Sequence, residues 1–202
     1  MFFGDEKMAI AINPAAPSPE HLAQLDAARL ASKKLRRAVA YANFDGWGIA
    51  AFAALSIAFS LTSPSGLLLG VGMAYIAWRE LSTAPALARL DPLAPRRLAI
   101  NQLIFSGLLI LYFAWCLFQS FTTPSDYSEI IASSPEAAGM VGNIDHLTRL
   151  ISVCIYVSLI FGTVIFQGGT AWYYSSRAKL LSDYLATTPQ WIIEYQRGGG
   201  TL

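Results

Sequence analysis

Charge is scarce in this chain. Asp, Glu, Lys and Arg together make 13% of its 202 residues, against roughly 25% in an average soluble domain, too few to cover a large solvated surface. Two cysteines and two histidines give neither a disulfide scaffold nor any zinc-ligand spacing. No serine or cysteine nucleophile is placed beside either histidine by a known motif. There is no glycine-rich phosphate loop, since the glycines at 198–200 follow a helical pattern instead of opening one. A net charge of +1 lacks the strongly basic balance of a nucleic-acid binder, so no nucleic-acid partner is expected. Asp5 and Glu6 stand where a secretory signal carries positive charge, and no apolar segment of signal length follows. No cleaved signal is therefore expected, and residues 1–18, rich in Ala and Pro, read as a disordered tail.

What the chain does have is apolar residues in blocks, 54% in all with a mean hydropathy of +0.45. The clearest block is the charge-free run Leu98 to Ser125, opened by Arg96 and Arg97 and closed by Asp126. It exceeds the roughly 20 residues that cross a bilayer and predicts a span over 98–121. A second clear span covers 150–174 and leaves through Trp172, Tyr173 and Tyr174 toward Arg177 and Lys179, an interfacial aromatic belt with its basic flank. The run Gly46 to Trp78 is shorter than two full spans and is broken by Thr62-Ser63-Pro64-Ser65-Gly66. It predicts two short spans over about 40–61 and 66–83, or a re-entrant hairpin. The first is preferred because a turn at mid-membrane leaves backbone groups unpaired. Ala50, Ala54 and Ala58 in one arm and Gly66, Gly70 and Ala74 in the other predict close backbone approach.

The fold class expected is all-α: a polytopic integral membrane protein, a four-helix transmembrane bundle with amphipathic interfacial helices at both ends. A basic juxtamembrane helix fills 19–45, the four-span domain 46–176 carries an acidic outer loop over 122–148, and interfacial helices follow over 177–202. Trp191, Ile192 and Tyr195 form the apolar face of the last one, and Asn143 is a candidate cap for the helix entering the fourth span. The stretch 82–97, with three prolines, reads as an inner loop. Six of the fourteen Lys and Arg precede the first span, four lie from Arg79 to Arg97 and three follow the fourth, leaving only Arg149 on the other side. The positive-inside rule then puts both termini in the cytoplasm, in a membrane of bacterial inner-membrane type.

Candidate sites are polar residues on apolar helices. Asn101, Tyr112 and Gln119 share a stripe of the third span, and Ser152, Tyr156, Thr163, Gln167 and Thr170 a stripe of the fourth. Facing each other, they form an intramembrane seam in which Asn101 falls level with Thr170 and Gln119 level with Ser152. That seam is helix glue or, with Gln102 and Gln167-Gly168-Gly169 at its inner mouth, a polar path. Asp45 and Arg79 lie at similar distances from the first turn and are a candidate ion pair. Lys33, Lys34, Arg36 and Arg37 are a candidate patch for anionic lipid or a partner. Cys116 and Cys154 fall at equal depth, near enough to bond, though isolated cysteines in apolar helices usually serve as small hydrophobes. Asp145 and His146 supply two donors, too few for a metal site. No catalytic residue, cofactor or metal is expected. The expected partners are membrane lipid and other membrane subunits or further copies of the chain. The function expected is that of an accessory or scaffolding subunit of a membrane complex, with a small homo-oligomeric channel or transporter as the alternative.

Overall fold

A computed structural model describes residues 18–60, 63–122 and 135–199, without the side chains of 135–143 and 145. The tail, most of the acidic loop with Asp126 and Glu129, and the side chains of Glu136, Asn143 and Asp145 lie outside the described residues. All the described structure is helical: α1 Pro19–Ala31, α2 Lys33–Phe59, α3 Pro64–Ala88, α4 Ala94–Thr122, α5 Pro135–Thr187 and α6 Gln190–Arg197. Three stretches, Lys33–Phe59, Ala94–Thr122 and His146–Thr187, are long and apolar enough to cross a membrane. The 53 residues of α5 extend about 80 Å at about 1.5 Å each, well beyond a hydrocarbon core about 30 Å thick. Asn143 falls inside this helix, so it is not the cap expected of it.

Two antiparallel pairs make the body. α2 packs along α3, α4 packs along α5, and α3 joins α4 over a shorter contact. At one end, called the base, Leu35, Ala38 and Ala42 of α2 meet Ala84 and Leu87 of α3, Leu98 of α4, and Tyr174 and Leu181 of α5 in one buried cluster. A second cluster above it joins Ile49 and Ala53, Met73, Ile76 and Ala77, and Phe105. Beyond Phe105 no residue of α4 is buried, and among the described side chains of α5 none is buried before Thr163. Among the described residues the bundle is therefore closed at its base and open toward the other end, the tip.

The connection between α3 and α4 is shorter than expected. α3 runs on to Ala88 and α4 starts at Ala94, so the loop is 89–93 instead of 82–97. Pro85 lies inside α3, where it removes one ladder bond. Burial of Ala84 and Leu87 keeps the helix going past it. The helix ends in a Schellman turn, with Asp91 N donating to Ala86 O at 3.0 Å and Leu90 N to Leu87 O at 3.0 Å. The left-handed position is held by Leu90, at φ 59°, in place of the usual glycine. That costs about 1–2 kcal/mol, offset by burying the Leu90 side chain in the base. Asp91 then locks the loop, accepting from Leu93 N at 2.9 Å and pairing with Arg97 at 3.2 Å.

The basic helix expected over 19–45 is two helices meeting at Ser32. The Arg29 carbonyl there accepts from Ser32 Oγ at 3.2 Å and from the Arg36 guanidinium at 3.0 Å. α1 is capped by Ser18, whose hydroxyl accepts from His21 N at 3.2 Å. It meets α6 through Trp191, which donates to Gln24 Oε1 at 3.2 Å and sits edge-on to His21. The inward face of α6 is Ile192 and Ile193, both buried, while Trp191 and Tyr195 stay partly exposed. At the tip, Arg149 donates to the carbonyls of Ser120 and Phe121 and so caps the C-terminus of α4.

Close approach of α2 and α3 rests on small residues, but the stripe on α2 is Ala38, Ala42, Gly46 and Ala53. Ala54, Ala58 and Ala74 are exposed, one helical position off the contact. Gly66 and Gly70 face α2 as expected. A Cβ on Gly70 would stand 2.6 Å from Ile57 Cγ1 and 3.0 Å from Ile57 N, whereas one on Gly107 would meet nothing within 4 Å. Gly70→Ala is therefore expected to destabilise the bundle by about 1–3 kcal/mol. Gly107→Ala should stabilise it by about 0.5–1 kcal/mol through helix propensity. Unfolding in detergent followed by circular dichroism measures both, and shifts of the same sign would contradict this packing.

Candidate functional site

Between the two clusters lies a group of polar side chains drawn from four helices. The contact face of α3 passes through Met73, Ile76, Ala77, Glu80, Ala84 and Leu87, a spacing of three and four that puts Glu80 inside and Arg79 about 100° away from it. Glu80 is 0% exposed, as are Gln102 and Tyr174, and Asn101 is 2% exposed. Glu80 Oε2 accepts from Asn101 Nδ2 at 2.7 Å, and Glu80 Oε1 accepts from the Tyr174 hydroxyl at 2.9 Å. Asn101 uses its second amide hydrogen on the Ile76 carbonyl at 3.1 Å. Next to it on α4, Gln102 Nε2 donates to Asp45 Oδ2 at 2.6 Å, and Asp45 is close enough to act on Glu80 electrostatically.

Each helix supplies its part for a local reason. The small residues Ala42 and Gly46 bracket Asp45 on the buried face of α2, and Gly46 lets α3 come close, with Leu81 and Glu80 against it. Tyr174 follows Ala171 and precedes Leu181 on the one buried face of α5. The Tyr41 ring of α2 packs against Tyr173 and Tyr174, with centroids 5.6 Å and 6.1 Å away, and covers the group from the side. Arg177 does not reach the carboxyls; its guanidinium lies over the Tyr173 ring at 4.2 Å. The one ion pair among the described residues is the Arg97–Asp91 pair of the loop. Two carboxyl groups thus share a closed base with amides and a phenol, and with no cationic side chain bonded to either.

Several expected placements change. The Asp45–Arg79 pair is not formed: Asp45 turns to Gln102, and Arg79 is off the contact face. The seam between α4 and α5 is divided. Tyr112 and Tyr156 both lie beside Cys116. Asn101 and Gln102 instead reach back to α3 and α2. Thr170 faces Tyr41, with 3.5 Å between the hydroxyl oxygens, and also bonds its own Phe166 carbonyl. Ser152 bonds the Thr148 carbonyl, Gln119 is exposed, Gln167 is half-buried and Thr163 is buried. Cys116 and Cys154 are free thiols. Lys33, Lys34, Arg36 and Arg37 are all exposed along the first turn of α2, and His146 is exposed. Glu80 and Tyr174 were the residues missed in the sequence; the helical spacing of their apolar neighbours is the signal that finds them.

No known protein family, curated protein or solved structure matches the chain.

If the Glu80 contacts hold the base together, Tyr174→Phe should lower stability by about 1–3 kcal/mol, the cost of leaving a buried acceptor without its donor. Tyr173→Phe, which keeps the ring under Arg177, should change it by less than about 0.5 kcal/mol. Denaturant unfolding of the two variants makes the comparison, and equal losses would count against the Tyr174–Glu80 bond.

Proposed function

We propose that the protein is a four-span membrane bundle acting as an accessory or scaffolding subunit of a membrane complex. The observation that carries this reading is the apolar cleft left where α3 and α4 part toward the tip. It has a volume of about 430 Å3 and is lined by Leu68, Leu69, Leu108, Leu111, Tyr112 and Trp115, with Pro64 and Ser65 at its end. Such a slot accepts an apolar ridge, and a transmembrane helix of another subunit supplies one of the right chemistry. Counting α3 as the fourth span is supported by its antiparallel packing along α2, with Gly66 and Gly70 against Ser60 and Ile57 and Glu80 near Gly46. Placing the base in the cytoplasm satisfies the positive-inside rule and sets Lys33, Lys34, Arg36 and Arg37 near anionic headgroups of a bacterial inner membrane.

A second reading, a small channel or transporter made of several copies of the chain, is favoured by the carboxyl and amide group where the base meets the spans, since ionisable residues on membrane-spanning helices are by default candidates for an ion or proton path.

Extraction from the native membrane in mild detergent, followed by mass spectrometry, separates the two. The subunit reading expects a stoichiometric partner, lost when the cleft is filled by Leu68→Trp with Leu111→Trp while the bundle keeps its melting temperature. A lone homo-oligomer, unchanged by filling the cleft, contradicts it and leaves the channel reading.

A further inference from the structure

Around the two acids the acceptors outnumber the donors that reach them, and the buried Arg177 Nε, also without a partner, belongs to the guanidinium stacked on Tyr173. Asn101 spends both amide hydrogens, on Glu80 and on the Ile76 carbonyl, and Gln102 donates to Asp45. Their amide oxygens, Asn101 Oδ1 and Gln102 Oε1, are buried and accept from nothing. Each oxygen sits on a planar amide whose nitrogen touches a carboxyl, so a half-turn of that amide brings its oxygen to the carboxyl in place of the nitrogen. Buried acceptors without a donor cost about 1–3 kcal/mol each, and two carboxylates side by side repel one another. Everything this cluster lacks is positive.

A proton on one carboxyl closes one hydrogen bond and leaves the other amide oxygen open. A hard metal cation takes several oxygens at once, and carboxylate and amide oxygens are the donors such ions prefer. We propose that Asp45, Glu80, Asn101 and Gln102 form a binding site for one hard metal cation of the alkali or alkaline-earth class. The two carboxylates match the charge of a divalent ion, and Ca2+ accepts irregular oxygen geometry more readily than Mg2+ does. Asp45 is only partly buried. One turn before it on α2, Tyr41 lines a groove of about 380 Å3 between α2 and α5, together with Thr170 and Tyr173. The groups facing the two acids are Asp45 itself and Tyr41 from α2, the two amides from α4, and Tyr174 from α5. The site stands whether the bundle works on a partner or alone.

The test is a titration of the whole protein, purified in mild detergent in choline chloride, with CaCl2, MgCl2 or NaCl, read by calorimetry and by melting temperature. One of these ions is expected to bind saturably, about one per chain, and to raise the melting temperature. Asp45→Asn and Glu80→Gln should each weaken that binding by about ten-fold or more, while Asp91→Asn in the loop should leave it unchanged. Asp45→Asn, at a partly exposed position, keeps the comparison open if Glu80→Gln does not fold. Absence of saturable binding by the wild type would overturn the proposal, and so would affinity unaltered in Asp45→Asn. A melting temperature that follows pH but none of the three metals would overturn it in favour of a bound proton.

Discussion

A carboxyl group with no access to water has to be met by the chain itself, and at Glu80 that need ties three helices together. Glu80 takes one hydrogen bond from α4 and one from α5, while Asp45 of α2 is tied to the next residue of α4. Hydrophobic packing in a bilayer does not by itself choose between neighbours, since lipid tails are as apolar as leucine. Hydrogen bonds between buried polar groups do choose. Without them the α2–α3 and α4–α5 pairs would each be satisfied alone, and their relative position would rest on the limited contact between α3 and α4.

The position of this group explains the shape. Below it the apolar cluster of Leu35, Leu87, Leu98 and Leu181 closes the base, and the loop 89–93 is short because both helices it joins are held there. Above Phe105 no side-chain hydrogen bond or ion pair among the described residues links the pairs, and they separate into the cleft between α3 and α4. Among the described residues, a closely packed base and a more open tip therefore follow from where the sequence places its few polar residues. A binding role for the tip and an ion role for the base are compatible, since the two regions share α3 and α4 but no side chain.

The helices themselves were legible from the apolar runs, and so was antiparallel pairing, which the short turn after α2 imposes on α2 and α3 and the alternation of successive spans imposes on α4 and α5. The faces were harder to read. Arg79 and Glu80 are adjacent, and distance from the turn alone cannot tell which one points inward; the phase of Met73, Ile76 and Ala77 does, and it selects Glu80. The same phase error of one residue moved the small stripe of α2 from Ala53 to Ala54. Pairing of the amides with α5 assumed that polar residues of neighbouring spans seek each other. A carboxyl is the stronger acceptor, and the two amides went to the carboxyls of α2 and α3 instead. Tyr174 looked interfacial because Trp172 and Tyr173 flank it, yet its hydroxyl had a buried partner to meet.

The contact between Glu80 and Asn101 is the most direct statement of this account, and it can be measured in lipid. Solid-state NMR of reconstituted protein, with 13C at the Glu side-chain carboxyl carbon and 15N at the Asn side-chain amide, reads the dipolar coupling across that pair. An O···N separation of 2.7 Å predicts strong dephasing of one Glu carboxyl signal, abolished in Asn101→Leu. A Glu80 signal without coupling to any Asn amide, in protein shown to be folded, would contradict the account.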